Sequence, residues 1–316
     1  MRRAALALAV TLGLSIAPPA RAEPAWLAGP ALGLHDLPAG QDRALVLQPH
    51  VAEMASRNTG LATDADGRLG GGGIALLTRP RADRRLLFRL DSGRTDVEYQ
   101  RIFQDLDIRS LGLGADLFQL RDGRVLQVGG SIARLRFRNE FIGNLDRWDG
   151  HAVEAHVRAY APLLDRPGLS IGHFAGGQVL ALTQEAHTLQ ATLLDRETRV
   201  SRSVFYGIDA TGELRLGQGH RLTPWAFAAI VHDFADRPPQ RPSALVTGFA
   251  PGNAYTLFSD QLAGIPDRYP RANTAVFGLG LSGAIRGGGS YTIGAFVERN
   301  GDYATRSLRL GLTFPF

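Results

Sequence analysis

The sequence predicts an all-β fold: a transmembrane, antiparallel, up-and-down β-barrel of 12 strands. Three observations carry this. In the closing segment, Leu308, Leu310, Leu312, Phe314 and Phe316 share one parity, and Arg309, Gly311 and Thr313 share the other. A strand puts alternate side chains on opposite faces, so this one is apolar on one side and polar or small on the other. Similar alternating runs of about ten or more residues, the length that crosses a bilayer at a tilt, recur along the chain. Short turns rich in Gly, Pro and Asp alternate with longer polar stretches, as in barrels with short periplasmic turns and longer external loops.

The N-terminus reads as an export signal. Arg2 and Arg3 precede an apolar run from Ala4 to Ile16, then Ala17-Pro18-Pro19-Ala20-Arg21-Ala22. A charged start, a short apolar stretch and a small-x-small ending place the cleavage between Ala22 and Glu23, giving a signal peptide over 1–22. The apolar run is too short for a comfortable membrane helix, so a membrane location means a barrel. Residues 23–43 contain Pro24, Pro30 and Pro38 with Gly29, Gly33 and Gly40. That composition excludes an uninterrupted helix and suggests a periplasmic tail or a plug. The barrel is expected over 44–316.

The strands follow in order. The first three are read at about 44–55, 71–79 and from Arg85, where Leu86, Phe88 and Leu90 oppose Arg85, Leu87, Arg89 and Asp91. Next, Leu111, Leu113, Ala115 and Leu117 oppose Ser110, Gly112, Gly114 and Asp116. In 125–138 the apolar parity changes near Ile132 and Ala133, and Gly129-Gly130 suggests a bulge that resets the register. Val153, Ala155, Val157 and Ala159 then oppose Glu154, His156, Arg158 and Tyr160, and a further strand is read at about 169–182. Trp225, Phe227, Ala229 and Val231 alternate with Ala226, Ala228, Ile230 and His232. Ala275, Phe277, Leu279 and Leu281 alternate with Val276, Gly278, Gly280 and Ser282, and Tyr291, Ile293, Ala295 and Val297 with Thr292, Gly294, Phe296 and Glu298. Short turns are read at 80–84, 121–124, 164–168, 217–220 and 286–289, and longer polar stretches near 57–70, 98–107, 139–150, 184–198, 233–272 and 299–304. A barrel that begins and ends on the periplasmic side accommodates this alternation with an even strand number.

Composition bounds the function. There is no cysteine, which removes disulfides, thiolate nucleophiles and cysteine-based zinc sites. All 35 basic residues are arginine, against 30 acidic residues, for a net charge of +5. Because they are spread along the chain, they read as charges of the lumen, turns and lipopolysaccharide-facing surface rather than a nucleic-acid footprint. The mean hydropathy of −0.07 suits strands that are apolar on one face only. The 38 glycines suit strands that twist and bend as a barrel closes.

The polar residues offer few catalytic constellations. The eight histidines show no Gly-x-Ser-x-Gly elbow, no His-Glu-x-x-His helix and no close pair on one strand face. His151 and His156 fall on opposite faces, and His232-Asp233 lies at the outer rim. Thr63-Asp64-Ala65-Asp66-Gly67 has too few spaced acids for an EF-hand. No catalytic, cofactor-binding or metal-binding residue is assigned. Glu154, His156 and Arg158 from one strand, with Arg89 and Asp91 from another, are expected in the lumen as an ion-pair network or a charged constriction. The region 233–272, with Pro238-Pro239-Gln240-Arg241-Pro242 and Phe249, Tyr255, Leu257 and Phe258, is expected to cover the mouth or face outward.

The stretch from Val204 to Phe316 resembles the end of the translocator domain of autotransporters, the type V secretion family. The resemblance rests on Gly212-Glu213-Leu214-Arg215-Leu216, Leu222-Thr223-Pro224-Trp225, His232-Asp233-Phe234-Ala235-Asp236, Val246 to Thr256, Asn273 to Ser282 and the closing strand. It implies a bacterial outer-membrane location and partners in outer-membrane lipid, lipopolysaccharide and the barrel-assembly machinery, which reads the terminal aromatic pattern. The expected protein is a monomer, binds no nucleic acid or cofactor, and lacks its own passenger. Its expected role is that of a non-enzymatic surface or pore protein. The alternatives are a barrel hydrolase acting on lipid A, phospholipid or peptide, and a translocator for a separately encoded passenger.

Overall fold

A computed structural model describes residues 41–56, 65–99, 104–189, 192–215, 221–234, 273–285, 288–300 and 303–316. The signal segment with Ala22 and Glu23, and most of 233–272, lie outside these residues. The elements are β1 (Arg43–Ser56), β2 (Ala65–Arg81), β3 (Arg84–Tyr99), β4 (Gln104–Arg121), β5 (Arg124–Phe141), β6 (Asn144–Arg166) and β7 (Leu169–Gln184). They continue as β8 (His187–Leu189), β9 (Thr192–Leu194), β10 (Glu197–Gly212), β11 (Leu214–Arg215), β12 (Arg221–Asp233), β13 (Asn273–Ala284), β14 (Ser290–Asn300) and β15 (Tyr303–Pro315).

Twelve of these strands form a closed antiparallel barrel. β8 and β9 make a separate small hairpin, and β11 is a two-residue stub on β12. Neighbours in sequence pair along the meander, β10 pairs β12, and β1 pairs β15 to close the ring. At the seam the Phe316 N–H donates to the Arg43 carbonyl at 3.0 Å. Closure leaves no edge strand, as a membrane barrel requires.

The parity of the terminal strand fixes its faces: Leu308, Phe314 and Phe316 are 57%, 42% and 64% exposed, while Arg309 and Thr313 are buried inward. Ile74, Phe88, Leu113, Ile132, Phe277 and Leu279 are likewise exposed on the outer wall, forming the apolar band that meets lipid.

Several sequence expectations change. No bulge breaks β5: its register with β4 and β6 runs without a shift, and Val125, Gln127, Ser131, Ala133, Leu135 and Phe137 all face inward. The apparent parity change arises because β5 rises out of the bilayer. Its outer face passes from Leu126, Val128 and Ile132 to Arg134, Arg136 and Arg138, while its inner face becomes apolar. The bulges present lie beside Pro80 and Pro162, where proline cannot donate to the ladder.

Several polar stretches read as long connections are strand instead. The 139–150 connection is a tight turn at Ile142-Gly143, with φ of 47° and 78°. The 98–107 and 299–304 stretches are mostly β3, β4, β14 and β15. These strands extend above the lipid band, so the polar residues decorate strands rather than coils. The short turn Asp122-Gly123, with φ of 52° and 76°, adopts the left-handed pair of values favoured in two-residue hairpins.

β12 also departs from the outward-apolar pattern. Its bulkier row, Trp225, Phe227, Ala229 and Val231, faces the lumen, and Ala226, Ala228 and Ile230 face outward.

Candidate functional site in the lumen

Inward positions alternate large with small across neighbouring strands. Trp225 and Phe227 lie opposite Gly280 and Gly278, Phe174 opposite Gly207, Asp91 opposite Gly73, and His156 and Asp116 both opposite Gly129. A Cβ at Gly278 would collide with the Phe227 ring, one at Gly280 with Trp225, and one at Gly73 with the Asp91 carboxylate. The inward glycines therefore make room for bulky neighbours that fill the interior of a small barrel.

Two kinds of wall result. On β7, β10, β12 and β14, Phe174, Phe205, Trp225, Phe227 and Phe296 form a run of rings with centroids 5.8 to 6.5 Å apart. Such separations suit edge-to-face and offset contacts.

The other wall is charged. Asp116 on β4 is its hub: one carboxylate oxygen accepts from Gln127 Nε2 at 3.0 Å and lies 2.7 Å from His156 Nε2. The other oxygen is 3.2 Å from the Arg89 guanidinium. His156 Nδ1 in turn faces Glu154 at 3.5 Å. Asp91 lies within electrostatic reach of Arg89 and Arg309. Arg158 is 1% exposed, stands over the Phe205 ring at 5.5 Å, and feels both Asp116 and Arg309. Arg309, on the closing strand, stacks over Phe296 at 5.3 Å.

β6 and β15, which carry Arg158 and Arg309, lie on opposite sides of the ring. β1 to β5 separate them one way, and β7, β10, β12, β13 and β14 the other. Side chains from opposed walls thus come within electrostatic reach of one another in the lumen. Arg89, Arg158, Arg309 and His156 are set against Asp91, Asp116 and Glu154, all buried. Removing one member of such a cluster leaves buried charge uncompensated, at a cost of about 3–5 kcal/mol.

Arg89, Asp91, Glu154, His156 and Arg158, singled out from sequence, all point inward in this layer. Sequence reasoning missed Asp116 as the hub and Arg309 as the reach from the far wall. Their signal was present as the one acid among the inward small residues of β4 and the one charge on the polar face of the last strand.

The other candidates disperse. His232 Nδ1 lies 2.8 Å from Asn273 Oδ1, whereas the Ser201 hydroxyl donates to Asp233 at 2.6 Å, so neighbouring His232 and Asp233 serve different partners. His151 faces Glu185 at 3.5 Å on the outer side. The ring nitrogens of His156 face two carboxylates, Nε2 that of Asp116 at 2.7 Å and Nδ1 that of Glu154 at 3.5 Å. Among the described residues no group of three or more His, Cys, Asp or Glu is arranged to hold a metal. Asp64 lies outside the described residues.

The closed ring of twelve strands decides the comparison with solved structures. The chain has the fold of an autotransporter translocator domain. The translocator domain of the autotransporter NalP from Neisseria meningitidis is similar to it with a TM-score of 0.68 and 13% identity, over 87% of this chain and 89% of that one. The β domain of the Bordetella autotransporter BrkA gives 0.67 and 12%, over 87% and 100%. The transport unit of AIDA-I from Escherichia coli gives 0.55 and 12%, over 92% and 96%. No protein-family model and no curated protein matches the sequence. The protein is a closed β-barrel whose fold resembles these translocator domains, and the likeness extends over most of the chain, beyond the motifs near the C-terminus.

Proposed function

We propose that this barrel is a non-enzymatic outer-membrane scaffold whose lumen is partitioned at mid-depth by its own side chains. It holds polar strand extensions and loops above the bilayer and passes little through its centre. The observation that carries this reading is that buried Arg158 and Arg309, from opposite walls, lie within electrostatic reach of each other beside the Asp116 network. A narrow, charge-lined centre of this kind disfavours an open aqueous path. The non-enzymatic reading is supported by the dispersal of the rim pair His232 and Asp233 onto different partners, Asn273 and Ser201.

Planar-bilayer recording of the purified protein tests this. The intact barrel should show small or no conductance, and Arg158→Ala/Arg309→Ala should raise it. A rise only on deletion of residues 23–43 would move the block to that segment. A large, steady conductance from the intact protein would make it a general porin and end the partition reading. The likeness to translocator domains favours a second reading, in which the barrel serves a passenger encoded elsewhere. That reading requires the partition to open, and co-expression with a candidate passenger followed by surface-protease digestion checks it.

A further inference from the structure

The outer wall of β3 to β6 carries a second charged feature that faces away from the lumen. The registers of these strands stack its outward residues in cross-strand rows. The lowest is wholly apolar: Leu90, Leu113, Ile132 and Val153, between 47% and 58% exposed. About 7 Å higher, by the rise of two strand residues, stand Ser92, Leu111, Arg134 and His151. Above them are Arg94, Arg109, Arg136 and Asp149, then Asp96, Asp107, Arg138 and Arg147. The topmost row turns acidic, with Glu98, Asp105 and Glu140 beside Leu145.

The three middle rows hold six guanidiniums, those of Arg94, Arg109, Arg134, Arg136, Arg138 and Arg147. Against them within these rows stand the carboxylates of Asp96, Asp107 and Asp149, a local excess of three positive charges nearest the apolar row; the acidic row above offsets it from the far side, with Glu140 3.5 Å from Arg138. Arg94, Arg109 and Arg136 sit directly opposite one another in a single row. Like charges so placed destabilise a sheet. Asp107 lies 2.6 Å from Arg94 and 3.2 Å from Arg109, Arg94 also donates to Asp96 at 2.8 Å, and Asp149 is shared between Arg134 at 2.8 Å and Arg136 at 3.9 Å. Two guanidiniums offer about ten N–H donors and one carboxylate about four acceptor sites, so donors remain for an outside anion. Arg94, Arg109, Arg134 and Arg136 are 56% to 67% exposed. A groove of about 480 Å³ at the wall of β4 to β6 is lined by Arg109, Arg136, Arg138, Arg147, Asp107 and Asp149 together with Phe137 and Trp148. On β10 and β14, Arg202 and Arg299 stand singly on the outer wall, whereas Arg306, Glu53 and Arg68 continue the row of Asp96 across β15, β1 and β2 with alternating sign.

We propose that this face binds a phosphorylated glycolipid of the outer leaflet, of the lipid A class. Its phosphates lie in the rows of Arg134, Arg94, Arg109 and Arg136, and its acyl chains lie on the apolar row below. The direct continuity of the arginine rows with the lipid-facing row selects a membrane lipid over a free anion. Planar guanidiniums suit bidentate phosphate recognition. The inference rests on the outer-membrane setting and is independent of whether the lumen is closed.

The test uses the full-length barrel in neutral detergent, with native mass spectrometry of added diphosphoryl lipid A. Three proteins are compared: wild type, the quadruple variant Arg94→Gln/Arg109→Gln/Arg134→Gln/Arg136→Gln, and the control Arg202→Gln/Arg299→Gln. Heat-modifiable gel mobility confirms that each is folded. Wild type and control should bind alike, and the quadruple variant at least ~10-fold more weakly, the loss expected for losing one or more charge-assisted contacts. Lipid A stripped of its phosphates should bind wild type at least ~10-fold more weakly. Equal binding by wild type and the quadruple variant would overturn the proposal, as would equal binding of the phosphate-free lipid. Full competition by equimolar inorganic phosphate would also overturn it, by assigning the site to a free anion. Bilayer conductance should not change in the quadruple variant, so this test and that of the lumen fail separately.

Discussion

Replacing Gly129 with alanine should destabilise the barrel by about 2–4 kcal/mol, although glycine-to-alanine changes in a strand ordinarily gain about 0.5–1 kcal/mol. The magnitude follows from where the new methyl group points. A Cβ at Gly129 would collide with one Asp116 carboxylate oxygen and lie 2.7 Å from the Ala115 carbonyl and 2.8 Å from His156 Nε2. The methyl group would therefore wedge apart the Asp116–His156 contact of 2.7 Å at the centre of the buried network. Breaking one partnership of a buried charged pair costs about 3–5 kcal/mol, from which the entropic gain of alanine is subtracted. Gly70 supplies the control, since a Cβ there meets nothing within 4 Å and Gly70→Ala should be neutral or slightly stabilising. Urea unfolding in detergent micelles, followed by tryptophan fluorescence, measures both. In a double-mutant cycle, Asp116→Ala should lessen the cost of Gly129→Ala, because it removes the colliding carboxylate. If Gly129→Ala unfolds at the same urea concentration as wild type, the Asp116 cluster is not the packed centre described above.

Three other outcomes are expected. Arginine at lipid-facing Phe277 or Leu308 should cost about 2–4 kcal/mol in folding into lipid vesicles. Ile142→Asn should raise stability by about 1 kcal/mol in the same urea assay, since a β-branched residue at φ 47° is strained and asparagine tolerates that region. Deleting Phe316 should reduce outer-membrane insertion, seen by fractionation and heat-modifiable mobility, because it removes both an exposed lipid-side ring and the N–H that donates to Arg43 across the seam.

The sequence by itself determined the class of fold and the faces of most strands. Alternation is a local property: Leu308 to Phe316, or Val153 to Tyr160, carry their two faces in neighbouring residues, and a bilayer rewards only one orientation of them. Where both parities were similar in polarity, the local signal lapsed. The row of Trp225 and the row of Ile230 on β12 are both apolar, and it is the glycine partners Gly280 and Gly278 on β13 that give the larger rings their space inside. In β5 the environment itself changes along the strand, from lipid to water, so an unbroken register looked like a bulge. The tertiary structure alone decided the lumen. Asp116 and His156 are 40 residues apart and meet because β4 and β6 flank the same glycine of β5. Arg158 and Arg309 approach only because the ring closes between β1 and β15, a contact that register and closure create and local periodicity cannot specify.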